Sequence, residues 1–416
     1  MSFSEWKKIK LEDAVKIVDS LHVTPKYAEL GYPIIRVQDI NEGLFDIQSP
    51  LYVSKEVYEK YTKNHRPQIG DILFTRVGAN NGISSYVNTN VDFCIGQNTC
   101  ILTEYKKGVY SKYIYYIMVS NIIKNQIQNM NTGSTHKTIS LGSIKNFEIY
   151  IPPYNEQKVI ADILYSIDEK IELNKRINKN LEKISQTIFK SWFVDFQPFQ
   201  EGEFEESEMG RIPKGWKISE LSSVVVVNKR GFSPKYNRNN EGVPVINQRC
   251  IRNHTIIEEA VQYHDNDVKT APEDSYIKPF DILINSMGVG TLGRVAQIAI
   301  INDAKIVHSC VTILRANESL IVPTILGYFI KSVESIIECM GTGSTGQTSL
   351  SNKVLGALKF VLPPLSIQLE IGDALTNILV YIDQNNLESK QLQQIRDTLL
   401  PKLMSGEIRV PIKEVK

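Results

Sequence analysis

The residues of this chain that could do chemistry first suggest nucleotide binding. Residues 288–293, GVGTLG, have the G-x-G-x-x-G spacing that lets a backbone turn approach a dinucleotide pyrophosphate. No strand–helix–strand pattern or suitably placed acidic residue supports that site. Residues 341–348, GTGSTGQT, have the glycines of a phosphate-binding loop, but Gln347 stands where a lysine must neutralise phosphate charge. We therefore interpret residues 288–293 as a loop between strands and predict no nucleotide site.

Catalytic and metal-binding patterns do not recur either. No Ser/His/Asp set, pair of carboxylates or cluster of His and Cys ligands appears in both halves of the chain. The five cysteines form no Cys-x-x-Cys pair, so we expect reduced thiols rather than disulfides or zinc ligands. We predict no catalytic residue, no metal and no cofactor on this chain.

What does recur is a set of polar loops whose side chains can hydrogen-bond to base edges and DNA phosphates. In the first half the candidates are Arg36, Gln38, Arg76, Asn80, Asn81, Gln97, Asn98, Ser134, Thr135, His136 and Lys137. In the second half they are Asn247, Gln248, Arg249, Asn285, Ser286, Arg294, His308, Ser344, Thr345 and Gln347. Taken singly, each is more often a solvated or turn residue, and the two Gly-Ser-Thr loops suit a structural turn as well as a phosphate contact.

The loops recur because the chain is an internal repeat. Several short motifs return in the same order about 210 positions later. They are Trp-Lys at 6–7 and 216–217, Asp-Ile-Leu at 71–73 and 281–283, Gly-Ser-Thr at 133–135 and 343–345, and Pro-Pro with a following Gln at 152–157 and 363–368. One unit of about 200 residues is therefore used twice.

Each unit begins with short β-rich runs separated by Gly, Asn, Asp and Pro. The predicted strands include 71–75, 100–103, 147–151, 281–284, 311–314 and 358–362, and one helical segment recurs near 112–125 and 324–338. This mixture predicts a compact α+β domain with more strand than helix. The fold class is thus two similar α/β domains related by an internal pseudo-twofold repeat.

Each unit ends in a long helix that begins after the Pro-Pro pair. Residues spaced three or four apart form one stripe along each helix. The first stripe is Ile163, Ile167, Ile171, Asn174, Ile177, Leu181, Ile184 and Ile188; the second is Ile371, Leu375, Ile378, Ile382, Asn385, Ser389, Leu392, Ile395 and Leu399. A helix of roughly 36 residues is about 50 Å long. We expect the two helices to pack on each other as a coiled coil, with Asn174 and Asn385 fixing its register. The alternative is an ordinary amphipathic helix on its own domain.

These features divide the chain into six segments. We predict a first globular domain at 1–152, a first long helix at 153–194, a linker at 195–213, a second globular domain at 214–364, a second long helix at 365–405 and a C-terminal tail at 406–416. Within the linker, Asp195–Glu208 has six acidic residues and no Lys or Arg, so we expect it to be solvated.

The composition agrees with a globular protein of two or three domains. The chain has 416 residues, of which 42% are hydrophobic and 22% charged. The start lacks an apolar signal core, and apolar runs are too short to span a membrane, so we expect a cytoplasmic location without membrane contact. The formal net charge is only +1, but it becomes +7 without the acidic segment.

Several of these stretches resemble the specificity (S) subunit of type I restriction–modification systems. They are the Pro-Pro pair with Gln157, Ile188–Phe196 (IFKSWFVDF), Met209–Trp216 (MGRIPKGW), Leu399–Gly406 (LLPKLMSG), Gly70–Leu73 (GDIL) and Phe280–Leu283 (FDIL). The resemblance covers essentially the whole chain.

This resemblance implies that the two domains are target-recognition domains, each of which reads one half of a split sequence in double-stranded DNA. The long helices would form an antiparallel coiled coil that sets the gap between the half-sites and docks two methyltransferase (M) subunits. Restriction (R) subunits would join through them. S-adenosylmethionine, ATP and Mg²⁺ would belong to those partners, and this chain would not be catalytic.

Equivalent loop positions differ between the halves: Gln38 corresponds to Arg249, for example, and Asn98 to Cys310. We therefore predict an asymmetric DNA target. The modest charge predicts weak DNA binding by the isolated chain, which strengthens once the partner subunits assemble. Two alternatives remain open at this point: a stand-alone DNA-modifying enzyme, and a scaffold whose two domains bind protein.

Overall fold

The computed structural model describes residues 6–47, 50–78, 81–130, 138–237, 239, 241–342 and 348–411. The chain forms two compact units. The first unit comprises Met1–Asn174 and Glu388–Lys416, and the second comprises Lys175–Leu387. Each unit therefore contains one globular domain together with a part of both long helices.

The globular domain of the first unit mixes short strands and helices. Its strands are β1 Lys7–Lys10, β2 Lys16–Asp19, β3 Tyr27–Ala28, β4 Tyr32–Ile35, β5 Gly43–Leu44, β6 Leu51–Val53, β7 Ile72–Thr75, β8 Ser84–Tyr86, β9 Cys94–Ile95, β10 Thr99–Thr103 and β11 Glu148–Ile151. Its helices are α1 Lys55–Tyr61, α2 Ser111–Val119, α3 Asn121–Met130 and α4 Leu141–Lys145. The long helix α5, Tyr154–Phe193, follows directly.

The second unit repeats this order with some additions. Its strands are β12 Phe204–Ser207, β13 Gly210–Pro213, β14 Lys217–Glu220, β15 Val225–Arg230, β16 Val243–Ile246, β17 Ile251–Arg252, β18 Thr255–Ile256, β19 Gln262–His264, β20 Ile282–Asn285, β21 Val295–Gln297, β22 Ile306–Val307, β23 Val311–Ala316 and β24 Lys359–Leu362. Its helices are α6 Pro323–Ser332, α7 Glu334–Cys339 and α8 Asn352–Gly356, followed by the long helix α9, Leu365–Met404.

The strand registers confirm the internal repeat. The main sheet has the order β2-β10-β7-β8-β5 in the first unit and β15-β23-β20-β21 in the second. A smaller sheet places β4 parallel to β9 and β16 parallel to β22. Buried apolar side chains of the main sheet pack against α2 and α6. The α+β fold predicted from the sequence is therefore confirmed in both units.

The Pro-Pro pair and the glutamine that follows it anchor the start of each long helix to its domain. Gln157 is fully buried: its Oε1 accepts from the Tyr110 N–H at 2.9 Å, and its Nε2 donates to the Pro152 carbonyl at 2.9 Å. Gln368 makes the same two bonds, with the Val322 N–H and the Pro363 carbonyl, also at 2.9 Å. A buried amide with all its partners supplied fixes the direction of the helix.

The long helices pack in antiparallel fashion within each unit. In the first unit, Asn174 Nδ2 donates to Glu388 Oε2 at 2.8 Å, and Lys170 pairs with the same carboxylate at 3.0 Å. In the second unit, Asn385 Nδ2 donates to Asn178 Oδ1 at 2.8 Å. Both interrupting asparagines are buried, as predicted, and both hydrogen-bond across the helix pair.

The predicted stripe is wrong at three positions. Ile163, Ile184 and Ile395 are 38%, 50% and 49% exposed. The first turns of α5 instead bury Ile160 and Leu164, which pack into the core of the first domain. The helix packs against its own domain as well as against the other helix. Its buried face is therefore wider than a coiled-coil seam and rotated from it. Both packing alternatives considered for these helices are thus realised together.

The predicted segments 112–125 and 324–338 are each two helices rather than one. Ser120, between α2 and α3, adopts an extended conformation, and its hydroxyl donates to the Ile117 carbonyl at 2.7 Å. Val333 separates α6 from α7. The break lets the second helix of each pair turn its apolar side back onto the domain, where Ile123 and Ile337 are buried.

The predicted solvated linker contains more structure than its acidic residues indicated. The hairpin β12–β13 lies in it, and Phe196, Phe199 and Ile212 pack around Trp216 and the end of α5. Glu205 and Glu206 stay exposed. The alternation of phenylalanine and glutamate here is therefore the pattern of a half-buried structure, with carboxylates on the outer side.

The C-terminal tail packs on the first unit. Arg409 Nε and Nη2 lie 2.7 and 3.1 Å from the two oxygens of Glu156, whose carboxylate also accepts from Trp6 Nε1 at 3.3 Å. Val410 is buried nearby in the same core as Met404. The tail thus closes over the tryptophan with which the first repeat begins.

Different polar contacts tie the helices to the domain in each unit. In the first, buried Asp168 of α5 accepts from the Tyr116 hydroxyl at 2.7 Å and from Arg396 Nη1 at 2.9 Å. In the second, Glu182 of α5 pairs with Lys331 at 3.2 Å and with His254 at 3.4 Å.

Helix α9 contains a window with a mean hydropathy of 1.2, which by length and composition alone could cross a membrane. The same helix buries two hydrogen-bonded amides, Gln368 and Asn385, in the second unit. Its apolar residues serve packing in both units. We therefore interpret it as a packing helix.

Candidate nucleic-acid interface

Three backbone hydrogen bonds bring the predicted polar loops of the first unit to one edge of the domain. The Gly96 N–H donates to the Ile35 carbonyl at 2.7 Å, which joins the turns that follow β4 and β9. The Arg76 N–H donates to Asn98 O, and the Ile139 N–H donates to Arg76 O, both at 2.8 Å. The segments near residues 36, 76, 97 and 139 are therefore neighbours in space.

The second unit makes the same three bonds with the equivalent residues. The N–H of His308 donates to the Ile246 carbonyl at 2.9 Å. Ser286 N donates to Cys310 O at 2.8 Å, and Leu350 N to Ser286 O at 2.9 Å. The sequence repeat thus places corresponding polar loops at corresponding edges. Asn98 and Cys310 occupy equivalent positions in the two units, as predicted.

In the first unit, the turn after β4 is held by an ion pair. Arg36 Nε and Nη2 donate to the two oxygens of Asp39 at 2.7 and 2.8 Å, and the hydrogen bond to Asp39 raises the pKa of Arg36. In the amide orientation that its neighbours favour, the Gln38 carbonyl oxygen accepts from Arg36 Nη2 at 3.0 Å. The Gln38 side chain is exposed at the tip of this turn.

In the second unit, the same turn is held by a buried amide. Asn247 Oδ1 accepts from the Arg249 N–H at 2.9 Å, and Asn247 Nδ2 donates to the Ala260 carbonyl at 3.2 Å. Arg249 is exposed at the tip, and within the described part of the chain its guanidinium makes no hydrogen bond or ion pair. The turn therefore presents an exposed cation where the first unit presents an amide.

An exposed tyrosine stands beside each of these turns. Tyr27 is 44% exposed and lines a cavity of about 240 Å³ together with Arg36, Gln38 and Gln97. Tyr236 is 43% exposed, and its ring is parallel to that of His308 with centroids 6.4 Å apart. Burial lowers the pKa of His308, which favours its neutral form. Neither tyrosine was predicted from the sequence, although their offset of about 210 positions could have revealed them.

Arg76 is a correction to the predicted surface set. Its side chain is 11% exposed, Nε donates to the Ile139 carbonyl at 3.1 Å, and Nη1 pairs with Asp19. In the second unit, Ser286 replaces Arg76, and Arg230 occupies the register position of Asp19. Arg230 Nη2 donates to the Leu350 carbonyl at 2.7 Å. The same loop carbonyl thus receives an arginine from a different strand in each unit.

The side chains of three further candidates make hydrogen bonds inside the second domain. Asn247 is held as described above. Asn285 is fully buried and donates to the Gln248 carbonyl at 2.9 Å, and the buried Ser286 hydroxyl bonds to that of Thr312 at 2.5 Å. We therefore assign Arg76, Asn247, Asn285 and Ser286 to holding the loops rather than contacting a ligand.

The remaining described candidates lie at least partly at the surface. They are Arg36, Gln38, Asn81, Gln97, Asn98, Gln248, Arg249, Arg294 and His308. Gln97 Nε2 donates to the Thr24 hydroxyl at 3.3 Å, and Arg294 Nη2 donates to the Gly290 carbonyl at 2.8 Å. The predicted residues Asn80, Ser134, Thr135, His136, Lys137, Ser344, Thr345 and Gln347 lie outside the described residues.

The glycine-rich segment 288–293 connects β20 to β21, which pair in antiparallel fashion. A dinucleotide fingerprint requires a strand that leads into a helix, so the predicted assignment as a loop between strands is confirmed. Among the residues that the structure describes, no group of three or more His, Cys, Asp or Glu side chains could hold a metal ion.

Comparison with known proteins agrees with this architecture. The family model for the type I restriction modification DNA specificity domain matches residues 3–183 and 213–397. The chain is 27% identical to the type I restriction enzyme MjaIX specificity subunit of Methanocaldococcus jannaschii, over 73% of this chain and 71% of that protein. It is 21% identical to the HindI specificity subunit of Haemophilus influenzae, over 97% of this chain and 100% of that protein.

A solved structure shows the same fold. The S subunit of a type I restriction-modification system from M. genitalium superimposes with a TM-score of 0.61 at 17% identity, covering 96% of each chain. Because the family model matches most of both repeats, the chain belongs to the type I restriction modification DNA specificity family.

Proposed function

We propose that this chain is the DNA-specificity subunit of a type I restriction–modification complex. Each globular domain reads one half of a bipartite target through the loops at its polar edge. The carrying observation is that three equivalent backbone hydrogen bonds build this edge twice, while the exposed side chains at its tip differ. Different side chains at equivalent positions select different bases, so the target is asymmetric.

The long helices serve spacing and assembly in this proposal. They set the distance between the two half-sites and dock two methyltransferase subunits, through which the restriction subunits join. S-adenosylmethionine, ATP and Mg²⁺ are bound by those partners, and the chain itself is not catalytic. The complex acts on double-stranded DNA in the cytoplasm, without a membrane.

The near-neutral charge of +1 fits a subunit that shares its DNA contacts. Affinity for duplex DNA depends on the phosphates that Lys and Arg neutralise, and each such contact steepens the salt dependence. We expect the isolated chain to bind DNA weakly and the assembled complex to bind more tightly, with a steeper dependence on salt.

The test uses the full chain co-purified with its cognate methyltransferase subunit. A pool of random duplexes is selected by gel shift and sequenced, and methylated positions are mapped in cells that carry the whole system. The expected result is one bipartite, non-palindromic sequence with a constant gap. Methylation by the chain alone would support a stand-alone enzyme, and stable capture of protein without DNA selection would support a protein-binding scaffold.

A further inference from the structure

The turns at residues 36–39 and 247–250, called the reading turns below, have equivalent backbones. The side chains at their tips differ in chemical type. In each unit the turn follows the strand that pairs in parallel with its neighbour, β4 with β9 and β16 with β22. Each turn is closed by the same backbone bond, from Asp39 N to Arg36 O at 2.9 Å and from Cys250 N to Asn247 O at 3.0 Å. The residue before the closing donor is exposed in both turns: Gln38 in one and Arg249 in the other.

The amide of Gln38 is held in a defined orientation. Asp39 binds the guanidinium of Arg36 at two points, and Arg36 donates from Nη1 and Nη2 to the Gln38 carbonyl oxygen at 3.1 and 3.0 Å. Arg36 is consequently a positioning residue whose charge is neutralised. The exposed amide keeps its two N–H donors, and its oxygen can accept from adenine N6 in place of one of the two Arg36 bonds. It then presents the donor and the acceptor that read the N7 and N6 edge of adenine.

Arg249 presents the complementary case. Its backbone N–H is fixed by the buried Asn247 side chain at 2.9 Å, so the side chain starts from a held turn. Its guanidinium is exposed, and the described residues offer it no carboxylate partner. A free guanidinium fork binds O6 and N7 of guanine bidentately.

We propose that Gln38 and Arg249 are corresponding base-reading residues, with Gln38 specifying an adenine in the first unit's half-site and Arg249 a guanine in the second unit's half-site. The proposal rests on the proposed function, because it assigns particular bases to the two edges. A bidentate contact discriminates against a wrong base by roughly 5- to 150-fold.

The experiment exchanges the two side chains in the full complex with its methyltransferase subunits. Gln38→Arg and Arg249→Gln are each selected on the same randomised duplex pool as the wild type. We expect Arg249→Gln to replace one guanine by adenine in one half-site, and Gln38→Arg to replace one adenine by guanine in the other. The gap and the remaining positions of both half-sites should stay unchanged.

Two matched variants sharpen this test. Lys278→Gln removes one exposed positive charge before β20, at the end of that strand away from the reading edge, and should leave the selected sequence unchanged. Asp39→Asn frees Arg36, so preference for the same adenine should weaken without switching to another base. If Arg249→Gln fails to bind any duplex, Arg249→Lys replaces it. Lysine lacks the guanidinium fork that makes the bidentate contact, so the preference for guanine should weaken by about the factor that such a contact supplies.

The outcomes separate this inference from the proposed function. If the wild-type complex selects a bipartite sequence that neither exchange alters, the assignment of both residues is wrong. If Arg249→Lys leaves the guanine preference unchanged, the assignment of Arg249 is wrong. In both cases the specificity function stands. A switched base other than the one named would overturn the base assignment in the same way. If the wild-type complex selects no sequence at all, both the inference and the proposed function fail.

Discussion

The contact between helix α5 and the second domain makes the stability of that unit depend on pH. His254 lies at the turn of the β17–β18 hairpin, where its Nε2 is 2.8 Å from Glu334 and its Nδ1 is 3.4 Å from Glu182. The hydrogen bonds to Glu182 and Glu334 raise the pKa of His254 to about 9, against the opposing effects of burial and of Lys331. Burial would raise the pKa of Glu182, but His254 and Lys331 outweigh it and lower that pKa to about 2.

The magnitude follows from the difference between the folded and unfolded states. The ordinary pKa is 6.5, so a folded value of about 9 corresponds to at most about 3 kcal/mol. The His254 side chain is 27% exposed, and solvent screening reduces this to about 1–2 kcal/mol. Because the folded pKa is the higher one, the stabilisation is fully present below pH 6.5 and is lost as the pH rises through about 9.

The assay is urea unfolding of the second unit between pH 6 and pH 10. In a Trp6→Phe background, the remaining tryptophans Trp192 and Trp216 both lie in the second unit and report its unfolding by fluorescence. We expect the free energy of unfolding of the wild type to exceed that of His254→Gln by about 1–2 kcal/mol at pH 6. At pH 10 the difference should be small. Unfolding curves of the two proteins that stay equally far apart across this range would refute the proposed role of the protonated histidine.

Other perturbations should separate the tertiary roles of individual side chains. Gln368→Leu leaves a buried N–H and buried carbonyls without their partner, and thermal unfolding should show a loss of about 2–4 kcal/mol. Ile160→Lys should unfold the first unit, as circular dichroism would show, whereas Ile163→Lys at an exposed position should change stability by less than about 0.5 kcal/mol; similar losses for both would restore the predicted stripe. Asn385→Leu removes the bond to Asn178 and should relax helix register, measured as a mixed gap length in the selected DNA with unchanged half-sites.

Much of the fold could be predicted because a repeat constrains each assignment twice. The strands around Leu73 and Leu283, the long helices and the buried asparagines all followed from patterns that occur at equivalent positions. The equivalence of Gln38 and Arg249 also followed from alignment of the two halves of the sequence. The backbone hydrogen bonds that close the two turns confirm this equivalence. Local periodicity and repeated motifs are properties of the chain itself, so they do not require knowledge of the packing.

The candidate site was predicted less well, because side-chain exposure depends on neighbours that are distant in sequence. Arg76 looked like a DNA contact, yet Asp19 and the Ile139 carbonyl hold it inside the first unit. Tyr27 was not among the predicted residues, yet it lines the cavity beside Arg36 and Gln38. No local pattern distinguishes a buried arginine with partners from a free one.

The sequence by itself determined that this protein is a tandem pair of α+β domains, each followed by a long helix, with polar loops at equivalent places. Hydrophobic spacing and turn residues are sufficient for that much. Only the tertiary structure decided which face of α5 is buried and that Arg249 is exposed. It also decided that Arg230 binds in the second unit the carbonyl that Arg76 binds in the first. Those outcomes depend on long-range backbone pairing, which brings a carbonyl or carboxylate within reach of one guanidinium and leaves another in solvent.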